Sequence, residues 1–117
     1  MSFAKQVKLG IKEQTGRVDL IWRLSVAEAF NRTVLSTPVD TGAARASWLG
    51  GFSNDGSVGT EFKLYKRADI PPYGSEYMLY SNLPYIEVLE DGSSTQAPNG
   101  MVKTVVPQWA SIVKKYE

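Results

Sequence analysis

The chain has 117 residues, 43% hydrophobic and 21% charged, which suits one globular domain with a single core. It contains no cysteine and no histidine, so disulfides, thiolate or imidazole metal sites and Ser-His or Cys-His nucleophiles are excluded. No apolar run approaches the ~20 residues of a membrane span, and residues 1–6 lack the apolar core of a signal peptide. We therefore expect a soluble, unprocessed protein without cofactor or metal.

The charges are unevenly distributed although the net charge is only +1. Residues 1–35 carry twice as many cations as acids, whereas residues 76–91 carry only acids. The cations are Lys5, Lys8, Lys12, Arg17, Arg23 and Arg32, and the acids of the later segment are Glu76, Glu87, Glu90 and Asp91. Opposed patches suit a protein that meets copies of itself head to tail. The alternative is that both patches are merely solvated.

Two helices are predicted in the first third of the chain. Apolar residues and lysines at loose helical spacing predict a short helix or arm over residues 1–15, ended by Gly16. A broad apolar stripe predicts a long helix over residues 17–36. This helix must stop near Ser36, because Pro38 disfavours helical geometry in the residue before it.

The middle of the chain predicts a small antiparallel sheet. Residues 46–52 are interpreted as a strand with a bulge, residues 62–66 as a second strand, and the aromatic-rich residues 77–81 as a third. The polar, glycine-containing residues 53–60 predict a flexible loop.

The last third predicts a short helix over residues 83–92, a loop over residues 93–100 and a closing helix. Thr104 is the expected cap of the closing helix, Pro107 lies in its first turn, and Lys114 and Lys115 favour its C-terminal end. The order of elements predicts one α+β domain over residues 1–117, with long N-terminal and C-terminal helices packed on about three strands. The three tryptophans, Trp22, Trp48 and Trp109, are expected in the core.

The stretch "STPVDTGA" contains the Asp-Thr-Gly triplet of aspartic proteases. In those enzymes the triplet ends an apolar strand of an all-β half-barrel, and two copies bring their carboxylates together. Here it follows a predicted helix. We interpret it as a structural turn in which Asp40 and Thr41 bond free backbone donors and Gly42 permits the reversal after Pro38.

Two blocks resemble a family of bacteriophage tail-component proteins. "TPVDTGAARASW" is similar to the Pro-Val-Asp-Thr-Gly-x-x-Arg-x-Ser-Trp signature of that family. "YSNLPYIEVLEDGSSTQAPNGMVKTVV" is similar to its Asn-x-x-Pro-Tyr-x-x-x-Leu-Glu-x-Gly-x-Ser-x-Gln-Ala-Pro-x-Gly-Met-Val segment. With the N-terminal helix these blocks leave only about residues 53–75 unmatched. Ala43-Ala44 and Asp91 depart modestly from the pattern.

The resemblance implies a structural virion protein of a lambda-like long-tailed phage, made in the bacterial cytoplasm and placed at the neck. Its expected role is tail completion or head-tail joining, and a tail terminator is the alternative. We expect a homo-oligomeric ring, as a hexamer, that contacts tail-tube and connector proteins. Membrane contact is not expected, and nucleic acid is expected to meet the ring only non-specifically at its lumen.

The expected interface combines charged residues with a loop. Arg45 or the cations of the long helix are expected to meet acids of a neighbouring copy, and residues 93–100 are expected to bind a partner. The candidate interface residues are Arg45, Tyr85, Glu87, Glu90, Asp91, Ser94, Gln96, Pro98 and Met101. Two rivals remain open: a DNA-contacting module that uses the N-terminal cations, and a carboxylate enzyme that uses Asp40.

Overall fold

The computed structural model describes residues 3–39, 42–84, 86–91 and 100–117, without the side chains of residues 3–15 and of Val88. The fold is α+β, with a long helix, a C-terminal helix and a small antiparallel sheet. The elements in chain order are α1 (Phe3–Ser36), α2 (Ala43–Ala46), β1 (Leu49–Gly51), a 3-10 turn (Arg67–Asp69), β2 (Met78–Tyr80), α3 (Ile86–Glu90), α4 (Val102–Val105), a second 3-10 turn (Val106–Gln108) and α5 (Trp109–Tyr116).

Helix α1 runs unbroken through Gly16 for 34 residues, about 51 Å at 1.5 Å per residue. The predicted break between a short arm and a long helix is therefore wrong. One glycine costs a helix only about 1 kcal/mol, less than the loss of the hydrogen bonds on both sides of a break. The predicted end is confirmed: α1 stops at Ser36, and Thr37 closes the last turn by donating its N–H to the carbonyl of Val34 at 3.1 Å.

The sheet has two strands in the described part of the chain, and Leu49 pairs with Tyr80 and Gly51 with Met78. Residues 62–66 do not form the predicted second strand. The reason is a side chain: Asn31 on α1 accepts the N–H of Tyr65 at 2.6 Å and donates to its carbonyl at 2.9 Å. Both backbone groups that a strand partner would use are thus taken by α1.

Two further segments differ from the prediction. Residues 43–46 form the single turn α2, so the first strand starts only at Leu49. The closing helix starts at Val102 and passes through a 3-10 turn that contains Pro107. Thr104 consequently lies inside α4, where its hydroxyl donates to the carbonyl of Gly100 at 2.7 Å, and does not cap a helix. Lys114 and Lys115 lie in the last turn of α5, as predicted.

The core consists of two clusters on the C-terminal half of α1, and Leu79 of β2 packs against both. The Trp48 cluster contains Val34, Ala44, Trp48, Ile86 and Met101. The Tyr65 cluster contains Val26, Ala27, Tyr65 and Ile70. Trp48 is buried as predicted, but Trp109 is 37% exposed and belongs to neither cluster.

The molecule is elongated, with extents of 62 × 27 × 17 Å. Gly16, Arg17 and Val18 on α1 are exposed. Asp19 makes a tertiary contact by accepting the N–H of Tyr73 at 2.7 Å. The contacts described here thus hold α1 from its second half onward. Among the described residues, no helix has both the length and the apolar character required to cross a bilayer.

Candidate functional site

Arg45 bonds its own chain. From α2 its guanidinium donates to the carbonyl of Thr37 at 2.8 Å through Nε and to that of Leu35 at 2.7 Å through Nη2. These carbonyls belong to the C-terminal end of α1, where a cation also interacts favourably with the helix dipole. The side chain therefore links α2 to the end of α1. Two of its N–H donors are used in these bonds and are not available to a carboxylate of a neighbouring copy.

The rest of the first block forms a buried hydrogen-bonded junction. Thr37 donates its hydroxyl to the carbonyl of Thr33 at 2.8 Å and accepts the indole N–H of Trp48 at 2.9 Å. The hydroxyl of Ser47 lies 2.6 Å from the carbonyl of Ala44 and 2.7 Å from the hydroxyl of Ser81. Because these polar groups are buried, their hydrogen bonds hold the junction in one geometry.

The turn before α2 is built on two of the predicted residues. Gly42 has a φ of 74°, a left-handed conformation that favours glycine, and its N–H donates to the carbonyl of Val39 at 3.1 Å. Pro38, four residues earlier in the chain, is buried. The other two predicted turn residues, Asp40 and Thr41, lie outside the described residues.

Glu90 organises the second block. Its carboxylate accepts three backbone N–H groups at the start of α4: those of Met101 at 2.9 Å, Val102 at 2.8 Å and Lys103 at 2.9 Å. A carboxylate at this position satisfies donors that the helix leaves free. Gly100 permits the approach with a φ of 80°, since a Cβ there would lie 2.3 Å from the backbone oxygen of Glu90. Glu90 is thus engaged within its own chain.

The remaining predicted interface residues divide into three groups. Met101 is completely buried in the Trp48 cluster, so it is a core residue in this chain. Glu87 is exposed, and Asp91 is exposed with an ion pair to Lys103 at 3.4 Å. Four residues, Tyr85, Ser94, Gln96 and Pro98, lie outside the described residues.

Sequence reasoning missed an apolar groove of about 360 Å³ between α1, β2 and the C-terminal helices. We call it the Trp109 groove. Its lining is Ala29, Phe30, Thr33, Trp48, Leu79, Val102, Val105, Val106 and Trp109. Val106 is 63% exposed, and Val102 and Trp109 are exposed to 40% and 37%. The available signal was the spacing of Val102, Val106 and Trp109, which is that of one helical face.

A charged cluster is centred on Glu28, which directly precedes the groove-lining residue Ala29 in α1. Its carboxylate accepts hydrogen bonds from Arg32 at 2.5 Å, from Lys115 at 2.7 Å and from the hydroxyl of Tyr116. Burial acts to raise the pKa of Glu28, but these hydrogen bonds and the two cations outweigh it and lower the pKa below its ordinary value. The cluster joins α5 to α1.

A second cavity, of about 500 Å³, lies between β1 and the segment 55–65 and has a more polar lining that includes Asp55, Lys63 and Tyr80. Hydrogen bonds at this cavity hold the loop over residues 53–60, which was predicted to be flexible. Asn54 and Asn82 exchange two amide hydrogen bonds of 3.0 and 2.8 Å, and Asn82 also donates to the carbonyl of Ser57 at 2.7 Å. Among the described residues, no group of acids is arranged to hold a metal ion.

Comparison of the chain with known proteins gives no matching family model, no matching curated protein and no matching solved structure.

Proposed function

We propose that this chain is a structural virion protein of a long-tailed bacteriophage. It acts at the neck, where it completes the tail and joins it to the head by forming a ring, as a hexamer, against tail-tube and connector proteins. The similarity of the two sequence blocks to the tail-component family is the origin of the proposal. No bond is made or broken in this role, which depends only on surfaces that recognise other proteins.

The observation that carries the proposal is that the two blocks pack into one structural unit. The first block supplies Ala44 and Trp48 to the Trp48 cluster, and the second supplies Ile86 and Met101. Residues that are more than thirty positions apart thus meet in one core. Trp48 and Met101 stand at specified positions of the two signatures, so both blocks contribute to one core, as a single family fold requires.

The surface supports a role in assembly. Thirteen large apolar side chains are exposed among the described residues: Val18, Leu20, Leu35, Val39, Phe52, Val58, Phe62, Leu64, Tyr73, Met78, Val102, Val106 and Trp109. Single exposed apolar residues are ordinary, but neighbouring ones that line a groove are typical of protein interfaces. Such a surface is expected of a subunit that other proteins cover on several sides in the assembled particle.

The rival functions receive less support. The Asp-Thr-Gly triplet is preceded by α1 and followed by α2, so it lacks the apolar strand that presents it in aspartic proteases. For DNA contact, two of the six cations of residues 1–35 are paired with acids: Arg23 with Asp19 at 2.9 Å and Arg32 with Glu28 at 2.5 Å. Such pairs reduce the positive potential that phosphate binding requires.

Electron microscopy of particles made with and without this chain tests the proposal. A neck protein predicts full heads beside finished, unattached tails when the chain is absent, with joining restored by adding it back. Overlong tail tubes would instead assign the terminator role. Normal joined particles in its absence would contradict the proposal. An Asp40→Asn variant that keeps the fold is expected to restore joining fully, and a failure there would favour the enzyme.

A further inference from the structure

The cavity of about 500 Å³ between β1 and the segment 55–65 is large enough for a small molecule or for a side chain of another protein. We call it the Tyr80 cavity. Its lining combines aromatic rings with charged groups, and every lining residue is described. The aromatic members are Trp48, Tyr65 and Tyr80, and the charged members are Asp55, Glu61 and Lys63.

The walls of the Tyr80 cavity are held in place by contacts within the chain. Ser57 donates its N–H to Asp55 at 2.9 Å, and the carbonyl of Ser57 accepts the side-chain amide of Asn82 at 2.7 Å. At Gly59 the segment lies directly on the backbone that precedes β1, since a Cβ there would stand 2.5 Å from the carbonyl oxygen of Ala46. A site that is formed before its ligand arrives loses little free energy through ordering when the ligand binds.

Negative charge prevails on the lining. Its one cation, Lys63, pairs with Asp69 at 3.8 Å, outside the lining. Among the described residues, neither Asp55 nor Glu61 forms an ion pair. The two cations of residues 66–67 follow in the chain but do not line the cavity. The lining therefore offers two carboxylates whose charge no ion pair neutralises.

One of these carboxylates is placed beside an aromatic ring. Asp55 accepts the hydroxyl of Tyr80 at 3.3 Å. The hydrogen bond from the backbone of Ser57 lowers the pKa of Asp55 below its ordinary value of 3.8, so the carboxylate is ionised at neutral pH. A cation that enters the cavity therefore meets a negative charge and a ring at the same place.

The opposite wall already accommodates a cation from the chain itself. The ammonium group of Lys63 lies 4.8 Å from the centroid of the Tyr65 ring, a distance at which the electrons of the ring attract a cation. The Lys63 side chain is 54% exposed, and an exposed pair such as that with Asp69 contributes little free energy. Lys63 can therefore turn toward solvent when another cation enters.

We propose that the Tyr80 cavity binds an alkylammonium group, which belongs either to a lysine of another protein or to a free diamine. The ammonium group meets the carboxylates of Asp55 and Glu61, and the alkyl chain lies against the ring of Tyr80. Opposite charge together with an aromatic surface is the chemistry that recognises ammonium ligands. Binding at this site goes beyond the neck role and does not depend on it.

Titration of the full-length chain with Nα-acetyl-lysine N-methylamide, followed by nuclear magnetic resonance, tests the proposal. The expected dissociation constant is about 1 mM or lower. The matched probe, Nα-acetyl-norleucine N-methylamide, lacks the ammonium group and is expected to bind at least about tenfold more weakly. Equal binding of the two probes, or no saturable binding of the lysine probe, would overturn the proposal.

Substitutions in the lining locate the site. Asp55→Asn keeps an acceptor for Ser57 but removes the charge, and together with Glu61→Gln it is expected to weaken binding of the lysine probe by about tenfold or more. Glu76→Gln changes an exposed acid outside the lining and should leave the affinity unchanged. An unchanged affinity in the double variant would overturn the proposal.

Lys63→Met distinguishes a competing cation from a ligand-binding one. Because the proposal makes Lys63 a competitor, this change is expected to tighten binding of the lysine probe by about twofold or more. Lys66→Met, at an exposed lysine outside the lining, is the control and should have no effect. Weaker binding by Lys63→Met would show that Lys63 holds the ligand, which no ammonium group permits, and would overturn the proposal.

The two sources of the ammonium group are distinguished by a comparison of the lysine probe with the free diamine putrescine. Tighter binding of the lysine probe supports the proposal with a protein lysine as the ligand, and tighter binding of putrescine supports it with a free diamine. Because these titrations use the purified chain, their failure would leave the neck role standing, which the particles made without the chain test separately.

Discussion

The Trp48 cluster is buried, whereas the segment 52–64, which follows β1 in the chain, is exposed almost throughout. Around the cluster, side chains are buried and their polar atoms are paired, as with Trp48 and Thr37 at 2.9 Å. Along the segment, every residue except Gly59 is exposed, including Phe52, Val58 and Phe62. The cluster contains Trp48 and Met101 from the two blocks that resemble the phage family, whereas the segment lies almost wholly outside the resemblance.

This difference distinguishes the residues that carry the sequence resemblance from the surfaces that are open to other proteins. Arg45, Glu90 and Trp48 stand out in the sequence, yet each is engaged in holding its own chain together. Among the described residues, the surfaces open to other proteins include the groove and the exposed segment, and most of their residues lie outside the signature positions. Residues that carry a sequence resemblance can therefore be ones that maintain the fold.

The largest expected effect comes from emptying the Trp48 cluster. Trp48→Ala removes a buried ring and the donor to Thr37, so we expect a loss of about 4 kcal/mol in the free energy of unfolding. Trp48→Phe keeps most of the ring and should lose about 1–2 kcal/mol, because the Thr37 hydroxyl loses the hydrogen bond that it accepts while it still donates to the carbonyl of Thr33. Urea denaturation followed by circular dichroism measures both. If Trp48→Ala lowered the free energy of unfolding by no more than Phe52→Ala, the contrast between the buried cluster and the exposed segment would be contradicted.

Removing the Glu90 carboxylate is expected to have the next largest effect. Glu90→Ala leaves three backbone donors at the start of α4 without their partner, and we expect a loss of about 2–3 kcal/mol. Glu90→Gln keeps one acceptor oxygen and should lose roughly half as much. The exposed ion pair of Asp91 provides the control, since Asp91→Asn should change stability by less than about 0.5 kcal/mol. Equal effects of the Glu90 and Asp91 variants would mean that the carboxylate is an ordinary surface charge.

Glu28 gives a pH-dependent test of the charged cluster that joins α5 to α1. Because the pKa of Glu28 is lower in the folded chain than its ordinary value of 4.5, the unfolded chain takes up the proton first as pH falls. Its contribution is complete above that value and is lost as pH falls through the lowered pKa. We expect Glu28→Gln to cost about 2 kcal/mol at neutral pH and to make stability less dependent on pH below 4.5.

Chemical denaturation at a series of pH values measures this difference, with Glu76→Gln, an exposed acid, as the control. The control should follow the parent curve. If Glu28→Gln also kept the slope of the parent at acid pH, the hydrogen bonds from Lys115 and Tyr116 would not be what stabilises the carboxylate.

The sequence predicts those parts of the fold that depend on local chemistry. Pro38 ends α1 at Ser36, the aromatic residues around Tyr80 form a strand, and the last lysines lie at the end of α5. Each outcome follows from neighbours within a few residues. The turn at Gly42 is equally local, because its positive φ needs a residue without Cβ.

The errors have long-range causes. Residues 62–66 fail to form a strand because Asn31, 34 positions earlier, takes both backbone groups of Tyr65. The groove was not predicted because its walls come from four segments that are distant in the sequence, and the exposure of Trp109 depends on where those segments lie. The internal bonds of Arg45 likewise need the end of α1 to be placed beside α2. Spacing along one sequence carries none of this information.

The smallest effect on stability is expected in the segment 52–64. Phe62 is 52% exposed, so Phe62→Ser should change the free energy of unfolding by less than about 0.5 kcal/mol. If the segment is a surface that meets tail or connector proteins, the same change should still reduce the fraction of joined particles, because apolar contact area is lost. Phe62→Leu keeps an apolar side chain and serves as the control. Urea denaturation midpoints measure the change in stability, and counts in electron micrographs measure the fraction of joined particles. Unchanged joining with Phe62→Ser would show that this residue is exposed in the assembled state as well, and the partner surface would then be confined to the groove side of the molecule.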